Sequence, residues 1–254
     1  MSPSIWTLCA ARFKQRKLSR RAWRAVEDQS VNATRKLVDS DAEQTLLEAL
    51  IDGAKPPWPA SERMRGLHYL LSTPFRYPPL RHGSRFGTRA ERGIFYGSEL
   101  KPTVLAEKAY YQCLFLAGTR AVFSAPVTQS LTLFQFSMST RHGADLTRPP
   151  FDEFEARISS PTSYADSQAL ALELRRAGVE AFKFRSARDP RRGLNVALFE
   201  PVFQPKGVLL AERWICTSTR AHIEFKPGLA ARGAALSFAC KSFEQQGVLP
   251  APGA

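Results

Sequence analysis

The chain has 254 residues, 44% of them hydrophobic, and carries a formal net charge of +13. That length and apolar content suit one substantial core with a small appendage, or two small domains, and exclude global disorder. The positive field favours nucleic acid, phosphorylated small molecules or an acidic protein partner, without choosing among them.

At the start of the chain an apolar run, IWTLCAA, precedes the first basic residues. This is the wrong order for a secretory signal. No apolar run approaches the length of a membrane span, so a cytoplasmic protein without a membrane partner is expected. Residues 12–24 carry seven basic residues (Arg12, Lys14, Arg16, Lys17, Arg20, Arg21, Arg24) and no acid. From Arg20 onward the spacing of Trp23, Val26, Ala33, Leu37 and Val38 predicts a helix with a buried stripe. A second helix is signalled by Ser40 and Glu43 at capping-box spacing, followed by Leu46, Leu47, Leu50 and Ile51 on one face. The run GAKPPWPAS at 53–61 reads as a linker. Residues 1–60 are therefore expected to form a basic helical N-terminal region with its linker, attached to a larger body over 61–254.

The body begins with a mixture unusual for a structural segment. Arg76, Arg81, Arg85, Arg89 and Arg92 face a single acid, Glu91, across 76–92. Guanidinium groups bind phosphate oxygens in a bidentate fork, so such a cluster suits an anionic ligand. Arg85 lies between Gly83-Ser84 and Phe86-Gly87, where glycine lets the backbone approach a ligand closely. Arg76 sits between Phe75 and Tyr77, beside prolines 78 and 79. A structural salt bridge is the plain alternative for both, and Arg89 and Arg92 read as surface charge.

Gly93 to Gly97 reads as a short buried strand, placing Tyr96 near its end. Tyr96 is either core or a flat face for an aromatic ring, with a hydroxyl left to hydrogen-bond. A helix is predicted from about Thr103, with Leu105, Ala109, Gln112, Cys113 and Leu116 facing the core. Glu107 then lies near the positive helix end, an interaction of a few tenths to roughly 1 kcal/mol. It is either an ordinary first-turn glutamate or a partly buried carboxylate that needs partners.

Further on, 131–137 is strand-like, and 163–177 is an amphipathic helix closed by Gly178. Residues 179–185 alternate like a half-buried strand and deliver Ser186 within KFRSARDPRR, a second basic setting. The segments NVALF, VLLAE, WICTS, HIEF and ALSFA supply short strands. No histidine or GxSxG elbow activates Ser186 as a hydrolase nucleophile. Cys9, Cys113, Cys216 and Cys240 are far apart, form no CxxC pair and draw no zinc motif with the four histidines, so free thiols are expected. The fold class that emerges is α+β, mixed in its first half and mostly β in its last third.

Phe75-Arg76-Tyr77, Gly83-Ser84-Arg85-Phe86, Phe95-Tyr96, Leu105-Ala106-Glu107 and Phe184-Arg185-Ser186 follow one another in an order that resembles the RES domain family. The strand Asn195 to Phe199, ending at Glu200-Pro201, looks like that family's next landmark, and the likeness runs from about Leu67 to Pro201. Two departures stand out. Glu200 occupies a place where many members have asparagine, and Arg76 lies closer to the Gly-Arg turn than is usual.

The resemblance implies a fold similar to ADP-ribosyltransferase toxins, with a mixed β core and flanking helices. It also implies a bacterial toxin that consumes NAD+ by phosphorolysis or hydrolysis, with no metal and no resident cofactor. NAD+ is then the substrate, and inorganic phosphate the co-substrate where the cleavage is phosphorolytic. The implied partner is a small Xre-like antitoxin in a hetero-oligomeric complex, through which any DNA contact would be made. Carried onto this chain, Arg85, Glu107 and Ser186 become the catalytic candidates, and Arg76 and Tyr96 the NAD or phosphate ligands. Two rival readings are an ADP-ribosyltransferase with a macromolecular target and a basic nucleic-acid-binding protein without catalysis. The second rests on the 12–24 run, and no zinc finger or RNA-recognition motif accompanies it.

Overall fold

A computed structural model describes residues 3–28, 37–77, 83–119 and 125–251. Ala33 of the predicted first helix, Arg81, and prolines 78 and 79 lie outside the described residues. The architecture is α+β, built on one mixed sheet of eight strands in the order β1-β2-β5-β4-β3-β6-β7-β8. These are β1 (Arg16–Glu27), β2 (Phe95–Ser98), β3 (Val127–Asp145), β4 (Ala181–Arg185), β5 (Leu194–Leu198), β6 (Leu210–Ser218), β7 (His222–Pro227) and β8 (Leu236–Ala239). An added β1–β3 pairing closes the first five into a ring. The long β3 makes this possible. Its middle pairs with β1, its end runs parallel to β4, and its first half pairs with β6.

The strands alternate between two packing environments, as period-2 geometry requires. On one side Phe95, Phe136 and Phe203 meet edge to face, with centroids 4.8–5.7 Å apart, and Ala181, Val196 and Leu198 join them. On the other side Phe182, Phe184, Ala197 and Phe199 pack beneath α6 (Ala165–Arg176), which follows the one-turn helix α5 (Glu155–Ile158), through Leu170, Ala171 and Leu174. Each fully buried phenylalanine contributes about 1.5–3 kcal/mol by leaving water. Gly178, at φ 76°, closes α6 in the left-handed conformation expected of it.

The basic run does not form a helix. Residues 16–27 are β1, paired with β3 from Leu18↔Thr140 to Glu27↔Leu131. Leu18 and Ala22 enter one core and Trp23 another, so the strand is buried on both faces. A strand with apolar residues at both parities loses its alternation, and the leftover spacing mimics a helix. The described part of residues 1–60 is accordingly no separate helical region. The short helix α1 (Ile5–Cys9) also buries Ile5 and Cys9 in the body. Helix α2 (Asp41–Gly53) starts as predicted, with Ser40 Oγ accepting from Glu43 N at 3.2 Å. Its apolar face is not core, however, since Leu46, Leu50 and Ile51 are exposed.

Helix α4 (Lys101–Gly118) follows α3 (Tyr69–Arg76) and β2, and it buries Leu105, Ala109, Gln112, Cys113 and Leu116 as expected. The expectation of free thiols holds for Cys9 and Cys216 but fails for Cys113 and Cys240, which form a disulfide. The fold brings together two cysteines 127 positions apart, which sequence spacing has no means of indicating. No helix among the described residues is long and apolar enough to cross a membrane.

Candidate active site

A cleft of about 540 Å³ opens between α4, β2, the end of β1 and the turn at Gly83–Gly87. Pro74, Ile94, Val104 and Phe184 make its apolar walls, and Tyr77, Tyr96 and Tyr111 add aromatic faces. Arg24, Arg85, Lys108, Glu107, Ser98 and Asn195 supply the polar groups.

Glu107 is held from two sides. Its Oε1 accepts from Ser186 Oγ at 2.6 Å and from Asn195 Nδ2 at 2.8 Å. Asn195 is oriented in turn by Ser98 Oγ, which donates to Asn195 Oδ1 at 2.6 Å. Glu107 Oε2 has no hydrogen-bond partner among the described residues. The helix begins at Lys101, earlier than the sequence indicates, so Glu107 stands in the second turn. The dipole effect has largely faded there. Side-chain donors, more than the helix end, set this carboxylate.

Ser186 is fully buried and does not line the cleft. Its oxygen accepts from the backbone N–H of Arg188 at 3.1 Å and of Asp189 at 2.9 Å, which leaves its proton for Glu107. The loop itself is fastened to α4, because Thr103 Oγ1 donates to Asp189 Oδ2 at 2.8 Å. A side chain at Gly193 would collide with Thr103 and Asp189. The cations around Ser186 are largely neutralised. Lys183 pairs with Asp145, and Arg185 and Arg192 pair with Glu155.

The Gly83–Gly87 turn is locked to β2. Gly83 has φ 74°, and the Ser84↔Gly87 bridge closes the turn. The Tyr96 hydroxyl lies 2.9 Å from Ser84 Oγ and accepts from Phe86 N at 3.2 Å. The hydroxyl expected to be left to hydrogen-bond is thus engaged by the turn, and Tyr96 lines the cleft. Burial pushes the Tyr96 phenol up to about 12, despite its hydrogen bonds with Ser84 and Phe86. Arg85 is 7% exposed. Its Nη1 donates to Ser160 O at 2.7 Å and its guanidinium lies 4.9 Å from the Tyr164 ring centroid. It makes no ion pair among the described residues, so its charge has no carboxylate to satisfy it. Arg89 and Arg92 are exposed.

Arg76 does not join the cleft. Its Nε donates to Pro56 O at 2.6 Å and its guanidinium stacks 4.7 Å from the Trp58 ring centroid, fastening α3 to the preceding segment. The second arginine of the cleft is Arg24, which the sequence does not set apart from the rest of the 12–24 basic run. Arg24 donates from Nη1 to Tyr96 O at 2.7 Å and lies 4.8 Å from the Phe95 ring centroid. Burial lowers its pKa to about 10, which leaves it a cation at neutral pH. Its position two residues from Ala22, a core alanine, was the available signal, had the strand been recognised.

A model of the RES domain matches residues 56–217. Arg24 precedes that segment. A chain in the crystal structure of the M. tuberculosis MbcT–MbcA toxin–antitoxin complex is similar at a TM-score of 0.43 and 11% identity, over 78% of this chain and 85% of that one. No curated protein matches the sequence.

Proposed function

The chain belongs to the RES domain family, and from that premise we propose that it is the toxin of a bacterial toxin–antitoxin pair that cleaves the nicotinamide–ribose bond of NAD+. The single observation that carries this reading is Glu107, a cleft carboxylate with one oxygen held by Ser186 and Asn195. As nicotinamide leaves with the bonding electron pair, positive charge develops on the ribose. Glu107 stabilises that charge, and its two donors keep it in place, so little reorganisation is needed as the charge appears.

Arg85 and Arg24 hold the pyrophosphate or an incoming phosphate, and Tyr96 offers its ring face to nicotinamide. Ser186 acts through Glu107 as a positioning residue. Attack by phosphate yields ADP-ribose phosphate. Attack by water yields ADP-ribose and releases a proton. No metal and no resident cofactor is required.

The site of action is the cytoplasm, and the partner is an Xre-like antitoxin that suits a chain of net charge +13. Binding to nucleic acid is a weaker reading because five of the seven basic residues of the 12–24 run lie on a two-sided strand. Within it Arg24 turns into the cleft and Arg20 pairs with Glu99 at 2.9 Å. Incubation with adenine-labelled NAD+ tests the acceptor. Label in free ADP-ribose or its phosphate supports the proposal, and label on protein or nucleic acid makes the chain an ADP-ribosyltransferase.

A further inference from the structure

The C-terminal segment is bonded to α4, the helix that carries Glu107, and shares the wall of a cavity with the loop of Ser186. It lies beyond residue 217, where the family match ends. Cys240 opens a 3-10 turn, Cys240–Phe243, and is bonded to Cys113 on α4, the helix that carries Glu107. One turn nearer Glu107, Tyr110 donates from its hydroxyl to Pro250 O at 2.5 Å and meets the Phe243 ring edge-on at 5.9 Å. Tyr110 also meets Arg188, whose guanidinium lies 3.5 Å from the ring centroid. Arg188 belongs to the loop of Ser186 and gives its N–H to that serine. Phe243, Ser242 and Gln245 also border a second cavity, of about 180 Å³, whose other wall is Arg188, Asp189 and Pro190.

We propose that residues 240–250 form a redox-latched strap, which clamps α4 to the Ser186 loop and sets the position of Glu107. The effect on turnover rests on the NAD+ reading above. The effect on the loop does not. Reduction needs a dithiol reductant. One of its thiolates attacks the sulfur of Cys240, which is half-buried where Cys113 is 2% exposed. The Cys113 sulfur leaves and takes up a proton. The second thiol then displaces Cys240, so the reductant ends as a disulfide and the chain gains two thiols. With the latch open, Tyr110 loses its anchored neighbour Phe243, and the Arg188 side of the loop loosens with it.

The test compares the oxidised full chain, the dithiol-reduced chain and a Cys113→Ser/Cys240→Ser variant. Amide exchange is followed over 105–113, 186–192 and 240–250, and NAD+ turnover in parallel. Reduction should speed exchange in all three segments while β3 stays protected. It should also lower kcat by about 10-fold or more with little change in KM, since misplacing a catalytic group by a fraction of an ångström has effects of that scale. Reoxidation should restore both, and the serine variant should be slow and indifferent to reductant. Should that variant not fold, the reduced wild-type chain carries the test alone. Unchanged exchange over 186–192, or a measurable turnover that reduction leaves unchanged, would overturn the proposal. Faster exchange in a chain that consumes no NAD+ in either state would leave the strap standing and remove the NAD+ reading.

Discussion

Ser186 and Glu107 are 79 positions apart in sequence and are joined by a 2.6 Å hydrogen bond in which the serine donates. The direction of that bond is dictated by the loop. Both remaining contacts of the serine oxygen are taken by backbone N–H groups, of Arg188 and Asp189. A hydroxyl has one proton, and here it has one destination. The same logic runs on the other side of the carboxylate. Ser98 donates to Asn195 Oδ1, which turns the amide so that its nitrogen faces Glu107.

Replacement Ser186→Ala removes that donor and strands two buried N–H groups. We expect a loss of about 1–3 kcal/mol in stability, the cost of an unsatisfied buried polar group. We also expect kcat for NAD+ cleavage to fall by about 10-fold or more, through a Glu107 that is no longer held. Denaturant titration and steady-state kinetics on the same preparation check both. A serine acting only in the fold would change the first and spare the second.

The arginines should separate cleanly. Arg24→Ala and Arg85→Ala are each expected to lower kcat/KM by about 10²-fold, the scale of one lost transition-state contact. Arg76→Ala should leave kcat/KM within a few-fold of wild type, since Arg76 is bound to Pro56 and stacked on Trp58. A large kinetic loss for Arg76→Ala with none for Arg24→Ala would reverse the assignment.

Acid stability should depend on Glu212. It is 7% exposed, and Lys101 Nζ reaches its two oxygens at 2.7 and 2.6 Å while Trp214 Nε1 donates at 3.0 Å. Burial pushes the carboxyl up, but the bonds from Lys101 and Trp214 outweigh it and bring its pKa below the ordinary 4.5. Asp145 and Glu180 are lowered as well. A carboxyl depressed on folding stabilises fully above its unfolded pKa, and that stability is lost as pH falls through the folded value. Unfolding free energy should therefore drop as pH falls below about 4.5. Glu212→Gln should flatten part of that fall and cost roughly 3 kcal/mol at neutral pH, because Lys101 is left without its counter-charge. Thermal melts across pH 3–7, an acid window on the order of the carboxylate range, would record it. An unaltered pH profile in the variant would contradict the account.

Much of this was readable from local pattern. The Gly83–Gly87 turn, the strand ending beyond Tyr96, the Glu107 helix, the cap at Gly178 and the strand that delivers Ser186 each declare themselves within a few residues. Three features did not. The strand β1 carries Ala22 and Trp23 in different cores, so neither period 2 nor its charge revealed it. Arg24 is hidden with it, and the resemblance puts Arg76 in the arginine role instead. The Cys113–Cys240 disulfide depends on the fold alone. The arrangement of Asn195 and Ser98 is also non-local, being a consequence of the pairing Ser98↔Asn195 between β2 and β5.

The most direct measurement is NAD+ consumption by the purified chain and by Glu107→Gln, with and without phosphate, with products identified by mass. One nicotinamide should be released for each NAD+ lost, with ADP-ribose phosphate or ADP-ribose as the other product. Glu107→Gln, folded to the same extent, should be slower by about 10²-fold or more. An NAD+ pool that stays intact with the wild-type chain, or a Glu107→Gln variant that consumes it at the wild-type rate, would rule out NAD+ cleavage carried by Glu107.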